Sequence, residues 1–429
     1  MPPRPRTVRR PRRLAAVPVL VLATALCISA WARDHTAAVS PPITLAADQA
    51  RAVGFLLDVR PQAPAPLFLF TDPNKDPDDL SVLVLAAELA EQGFIDIRCV
   101  VTTLGDRETR LRRARFAKDV LEGLGLDGVE VGVGGDYGFE VKGADGKLDL
   151  RATEARRKDH QVFIDTPFGH PRGEVSTDGV ALLESELTRV ADRSVVLLVN
   201  AGMADLAALL RNAPELVKNK TAKVVIMGGV EPTVDELGFV DADRRAYNNT
   251  THQPSADYVY ARVQEFGIPL VVVAKEAAYA AAAPRGFYEG MAATRHPIGV
   301  YLRDQQKRSL QNLWSGIQQG HMPPSLTTEW FFETFTDVDI ETPAGQAELA
   351  RAEENAGDFD ALWPKVSKFN LYDPLALLAA TPGVGGRLFR ADAIPGARTD
   401  VKVVGEKSVR DPVLVKGLMS GLAVQSFSP

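Results

Sequence analysis

The sequence predicts an α/β protein with a mostly parallel central sheet and helices on both faces. Two observations carry that expectation. From Pro66 onward, short apolar or β-branched runs alternate with longer stretches of helical period, and strand, helix, strand repeated along a chain builds a parallel sheet covered on both sides. A chain of 429 residues that is 45% hydrophobic can also fill a large core, which disordered or fibrous chains cannot do.

Taken in order, the strand candidates are 67–70, 97–102, 129–133, 195–199, 223–227 and 270–274, each a short run bounded by polar or glycine-containing turns. Helix candidates fall between them at 79–92, 107–124, 177–192, 203–217 and 254–266. No repeat at solenoid spacing competes with this reading. Residues 286–368 hold most of the tryptophans and a charged polar stretch, which predicts a helical insertion on a single domain spanning 66–429.

The amino terminus has a different character. Six arginines and no acidic residue precede and flank an apolar stretch from Leu14, and Ala30-Trp31-Ala32 is a small-x-small cleavage site. That layout predicts a signal peptide over 1–32, a lead-in over 33–65, and export to the periplasm, cell surface or medium. Left uncleaved, the run would instead anchor the chain in a membrane. Cleavage takes the net charge from −6 to −12, which excludes a general electrostatic partnership with nucleic acid or an anionic surface. Cys99 would then be the sole cysteine, so no internal disulfide supports the fold.

The chemistry concentrates at Thr71–Leu89, "TDPNKDPDDLSVLVLAAEL", directly after the first strand candidate. In parallel sheets, ligands gather where the carboxyl ends of strands meet the following helices. Asp78 and Asp79 there are accounted for by helix capping and dipole compensation. Asp72 and Asp76 are not. Carboxylates so close repel one another unless a cation or a proton neutralises them, which points to a hard metal ion. An EF-hand is excluded, because its sixth position is Pro77 instead of Gly and its twelfth is Leu83 instead of Glu. The six histidines form no pair at helical ligand spacing, which argues against zinc. Neither a Gly-x-Ser-x-Gly elbow nor a phosphate-binding glycine loop follows a strand.

A strand, then Asp-Pro, then Asp-Asp entering a helix resembles the signature of the inosine-uridine-preferring nucleoside hydrolase family. Further segments match in order: "CVVTTLGD", "NAGMADLAALLRNAPEL", "KVVIMGGV", "YNNTTHQPSADYVY" and "NLYDPLALLAA". Together they extend the resemblance from about residue 66 to about residue 380. It implies a Rossmann-like fold that binds one Ca2+ and hydrolyses the N-glycosidic bond of ribonucleosides to free base and ribose. Anchored on Asp-Pro, it puts Asp72, Asp79 and Asp373 on the metal carboxylates and Ala204 on a metal-binding backbone carbonyl. Asp72 then also deprotonates the attacking water. This anchoring sets Asp72 on the second aspartate of the signature, whereas an ungapped alignment sets Asp72 on the first and Asn74 on the second. Asp78 and Asn249 fall on the ribose-binding positions, Met227 on the Met-Gly-Gly turn, and Asp106 where asparagine is usual. Tyr372 stands where many members have a histidine for the leaving base, and Tyr247 where a ribose-binding glutamate is common. These departures keep open a competing expectation, a non-catalytic protein that captures a sugar or nucleoside. A homo-oligomer stays open as well.

Overall fold

The computed structural model describes residues 44–143, 145–322, 326–355 and 357–427; the segment read as a signal peptide lies outside them. Twelve strands occur among the described residues: β1 (Ala65–Thr71), β2 (Ile95–Thr102), β3 (Glu130–Val133), β4 (Val195–Val199), β5 (Thr221–Met227), β6 (Val230–Val234), β7 (Val240–Ala242), β8 (Leu270–Val273), β9 (Ala283–Pro284), β10 (Lys368–Phe369), β11 (Asp392–Ala393) and β12 (Val401–Val404). Eight of them form one sheet in the order β11-β12-β8-β5-β4-β1-β2-β3. All neighbours pair in parallel except β11 with β12.

Strand periodicity explains why both faces are apolar. Successive side chains point to opposite sides, and β1 sends Leu67 and Leu69 into one core while Phe68 and Phe70 enter the other. β4 divides in the same way, with Val196 and Leu198 on one side and Val195, Leu197 and Val199 on the other. A strand buried on both faces reads as a continuous apolar run, which is how these strands appear in the sequence. Each such side chain contributes roughly 1.5–3 kcal/mol by leaving water.

The chain order reverses beside β1. β2 and β3 extend the sheet to one side, whereas β4, β5, β8 and β12 extend it to the other. The crevice between the carboxyl ends of β1 and β4 is therefore the topological switch point where ligands bind in such sheets.

The structure differs from the predicted elements in a few places. The helix expected over 203–217 is two helices, Ala204–Asn212 and Pro214–Lys220; Pro214 lacks an N–H and starts a new helix more readily than it continues one. β11 is only two residues long, and β12, four residues like β3 and β8, has the exposed Lys402 inside its valine run, so neither stood out as an apolar strand. Within the lead-in, helix Ala47–Gly54 packs against the last helix, Pro412–Gln425. Two glycines permit that approach, since a Cβ on Gly421 would lie 2.6 Å from Val53 and one on Gly417 3.1 Å from Ala52.

Segment 286–368 carries the helices Gly286–Ala293, Pro297–Gln318, Thr328–Phe335 and Pro343–Glu354. It leaves the main domain just after β9 and returns at β10, and these two short strands pair antiparallel. Trp314, Phe331 and Phe332 fill its interior.

Candidate functional site

A cavity of about 890 Å³ opens over the carboxyl ends of β1, β4, β5, β8 and β12. Its floor is made by the aspartates. Helix Pro77–Glu91 begins with Pro77 at its first position and brings Asp78 and Asp79 into its first turn. Helix Tyr372–Ala380 brings Asp373 to the same point from the far end of the chain. Carboxylate oxygens of Asp78, Asp79 and Asp373 all lie within 4.8 Å of one another, and Asp72 lines the same cavity.

Backbone and side-chain hydrogen bonds hold this cluster in shape. One Asp79 oxygen accepts from the Thr71 hydroxyl at 2.6 Å and from the Asp72 amide at 3.1 Å. From behind, the fully buried Arg113 guanidinium donates to the carbonyls of Asp72 (2.7 Å), Pro73 (2.6 Å), Val162 (2.8 Å), Leu104 (3.3 Å) and His160 (3.4 Å). Asn74 adopts φ 72°, a left-handed conformation that asparagine tolerates. Its side chain is fully buried and turned to the protein: Nδ2 donates to the Ile164 carbonyl at 2.7 Å, and Oδ1 accepts from Tyr301 at 2.5 Å and Gln305 at 3.2 Å. Asp72, which both alignments use, lines the cavity, whereas Asn74, which only the ungapped alignment puts on the second aspartate, does not.

The electrostatics follow from burial and crowding. Burial, then the Asp79 charge, raise the Asp72 carboxyl well above its ordinary value. Asp78 is pushed up to about 7 by burial and then by Asp76, and Asp79 to about 6 by burial and then by Asp78. Burial followed by the Asp79 charge raises Asp373 well above the usual range. Such a set takes up either protons or a cation.

The residues fit a hard divalent ion. Three convergent carboxylates, Asp79 and Asp373 buried and Asp78 partly so, supply the oxygen donors that Ca2+ prefers. Asn200, 2% exposed at the end of β4, also lines the cavity, and its Oδ1 has no hydrogen-bond partner. An orphaned buried oxygen beside three carboxylates is an acceptor in need of a cation or a donor. Sequence reasoning gave Asn200 no role, although it was visible as the polar residue ending an apolar strand.

Other expected residues separate into two groups. Met227, Tyr247 and Tyr372 line the cavity. Ala204, Asp106 and Asn249 do not. Ala204 is the first residue of its helix, buried beneath the floor. Asp106 caps helix Arg107–Gly123, accepting from the Thr109 amide and the Gln161 side chain at 2.8 Å each. Asn249 is fully buried and donates to the carbonyls of Gly229 and Asp243 at 2.9 Å each. The asparagine that reaches the cavity is its neighbour Asn248, whose Nδ2 joins the carbonyls of Asn200 and Met227 at 3.0 Å each. One peptide step exchanged the two roles, and a helical turn of Asn-Asn gives no sequence signal for which one faces inward.

At the mouth, the Tyr247 hydroxyl donates to Asp159, and Lys75 bonds both of them while its ammonium lies 4.1 Å from the Tyr247 ring centre. Tyr372 stands edge-on to the half-exposed Tyr279 with ring centroids 6.2 Å apart. Burial raises both the Tyr247 and the Tyr372 phenols above their ordinary value.

No family model and no curated protein matches the chain. Among solved structures, the type III effector protein XopQ, complexed with adenosine diphosphate ribose, shares 40% identity over 89% of this chain and 100% of its own, with a TM-score of 0.76. The effector protein XOO4466 shares 39% over 90% and 100%, with a TM-score of 0.75. The purine-preferring ribonucleoside hydrolase from Gardnerella vaginalis shares the fold, with a TM-score of 0.53 at 15% identity over 85% and 99%. The chain belongs to the family of these two effector proteins and has the nucleoside hydrolase fold. That fold's Rossmann-like arrangement is the eight-stranded sheet described above.

Proposed function

We propose that the protein hydrolyses the N-glycosidic bond of ribosyl compounds in a Ca2+-dependent reaction. The observation that carries this reading is the convergence of Asp78, Asp79 and Asp373, with Asp72 beside them, at the switch point of the sheet. These residues and the orphaned Asn200 oxygen would hold the ion, which when bound supplies charge that acidifies a water molecule. Asp72 accepts the proton of the attacking water, whose oxygen bonds to C1′ as the C1′–N bond breaks and its electron pair leaves with the base. The sugar becomes cationic on the way, and the surrounding carboxylates stabilise that charge. Asp78, Asn248 and Met227 border the space for the sugar, and Tyr372 the space for the leaving group.

A second reading, capture of a riboside without turnover, draws support from the 40% identical relative being an effector protein solved with adenosine diphosphate ribose. Release of reducing sugar from a panel of ribosides, with Ca2+ and with a chelator, separates the two. Calcium-dependent release that Asp72→Asn abolishes in folded protein supports the hydrolase. Tight ligand binding without release supports capture. The proposal includes export directed by residues 1–32, tested by the amino-terminal sequence of protein recovered outside the cytoplasm.

A further inference from the structure

We propose that the substrate is an N-ribosyl pyridinium, free or as part of a dinucleotide, whose leaving group departs as a neutral ring. The inference rests on the hydrolase reading and specifies which bond that site cleaves best.

A purine or pyrimidine base leaves an N-riboside as an anion unless a general acid protonates it. For that task the cavity offers beside the leaving group the Tyr372 phenol, a far weaker acid than an imidazolium. No histidine is among its lining residues. The Arg245 guanidinium is paired with Asp243 at 3.0 Å, and the Tyr247 proton is committed to Asp159. Lys275 and Lys407 lie just after β8 and β12. Those strands stand three and four places from β1, or about 14–19 Å along the sheet. Both lysines therefore enter the cavity from strands far from β1.

The charge of the cavity points the same way. Among the described residues, nine carboxyl side chains line it against three cationic ones, so acidic groups outnumber basic ones even beside a dication. An anionic leaving base would form against that field. A pyridinium instead enters as a cation attracted by it, and its ring is suited to the aromatic wall offered by Tyr372, backed by Tyr279. When the C1′–N bond breaks, the electron pair returns to the ring nitrogen and the pyridine leaves uncharged. Water supplies the new C1′–O bond, and its proton is released to solvent. No acid is needed at any point.

The test compares kcat/KM of the full mature chain in Ca2+ for N-ribosyl nicotinamide, its dinucleotide form, inosine, uridine and 4-nitrophenyl riboside, whose leaving group also needs no proton. The expected result is at least a hundredfold preference for one or both pyridinium compounds over inosine and uridine, the two forms showing whether the free riboside or the dinucleotide is favoured. Tyr372→His, which supplies an imidazole, is expected to raise inosine turnover at least tenfold without raising pyridinium turnover. Inosine or uridine cleaved as fast as the pyridinium compounds by the unmodified protein would overturn the inference and leave the hydrolase reading intact. Turnover of inosine or uridine without pyridinium cleavage would do the same, and turnover of 4-nitrophenyl riboside alone, an O-glycoside, would overturn both readings. Absence of turnover with all five compounds would overturn both.

Discussion

The Asp72 amide donates to the Asp79 carboxylate across 3.1 Å, so the chain leaving β1 is bonded to the first turn of the helix it is about to enter. This contact uses an Asp79 oxygen that an asparagine side chain would also offer. Asp79→Asn should therefore keep the fold while removing one charge from the metal cluster. The expected outcome is a loss of calcium affinity of at least about a hundredfold by titration calorimetry, with the calcium-free melting temperature unchanged or raised. A calcium-free protein that no longer folds would show that the carboxylate is structural first.

The raised carboxyls give a pH dependence of definite sign. Asp78 near 7 and Asp79 near 6 hold protons in the folded chain that the unfolded chain, with aspartates near 3.9, has already released. The folded state then binds more protons, and stability falls as pH rises. Calcium-free protein should lose melting temperature progressively between about pH 4 and pH 7 on these grounds. Saturating Ca2+ should remove most of that loss, because it replaces protons that are no longer needed. Scanning calorimetry across that range, with and without chelator, checks both statements.

Arg113 reaches five backbone carbonyls from a buried position. A lysine has one nitrogen and cannot span them, so Arg113→Lys leaves several buried acceptors unpaired. An expected loss of about 3 kcal/mol, from the cost of unsatisfied buried groups, is measurable by urea denaturation. Calcium affinity should fall with it, because two of those carbonyls belong to the Asp72-Pro73 loop.

Asn249 and Asn248 should respond differently. Asn249→Ala removes donors from the carbonyls of Gly229 and Asp243 in the core and is expected to cost about 2 kcal/mol of stability. Its effect on KM should be small in protein that stays folded. Asn248→Ala is expected to raise KM tenfold or more, since Asn248 borders the cavity. Steady-state kinetics beside thermal melts separate the two.

Much of this was legible in the sequence, for reasons that differ by element. The six predicted parallel strands are buried along most of their length, so their apolar runs announced them. The acidic cluster was legible because like charges crowded at a strand end have few other uses, although the sequence put Asp72 with Asp79 and Asp373 where the carboxylates that converge are Asp78, Asp79 and Asp373. Asp72, Asp78 and Asp79 are neighbours in the chain, and Asp373 was found only through the family pattern. Residues chosen by contact across the fold were not visible. Asn200 gains its role from Asp373, 173 positions away, and Arg113 from a loop 41 positions back. Asp106 was read as a site residue because it stands where the family pattern has asparagine, but the Thr109 amide and the Gln161 side chain hold it as a helix cap.

The pairing of β9 with β10 brings the two ends of the helical insertion side by side, so the length of what lies between them can change without shifting the sheet. The same insertion supplies Tyr301 and Gln305, the two donors that fix Asn74 in the aspartate loop. Relatives that lengthen, shorten or exchange this module would thereby retune the loop that carries Asp72 while every strand of the scaffold stays in place. Divergence of activity in such a lineage needs no substitution among the aspartates themselves.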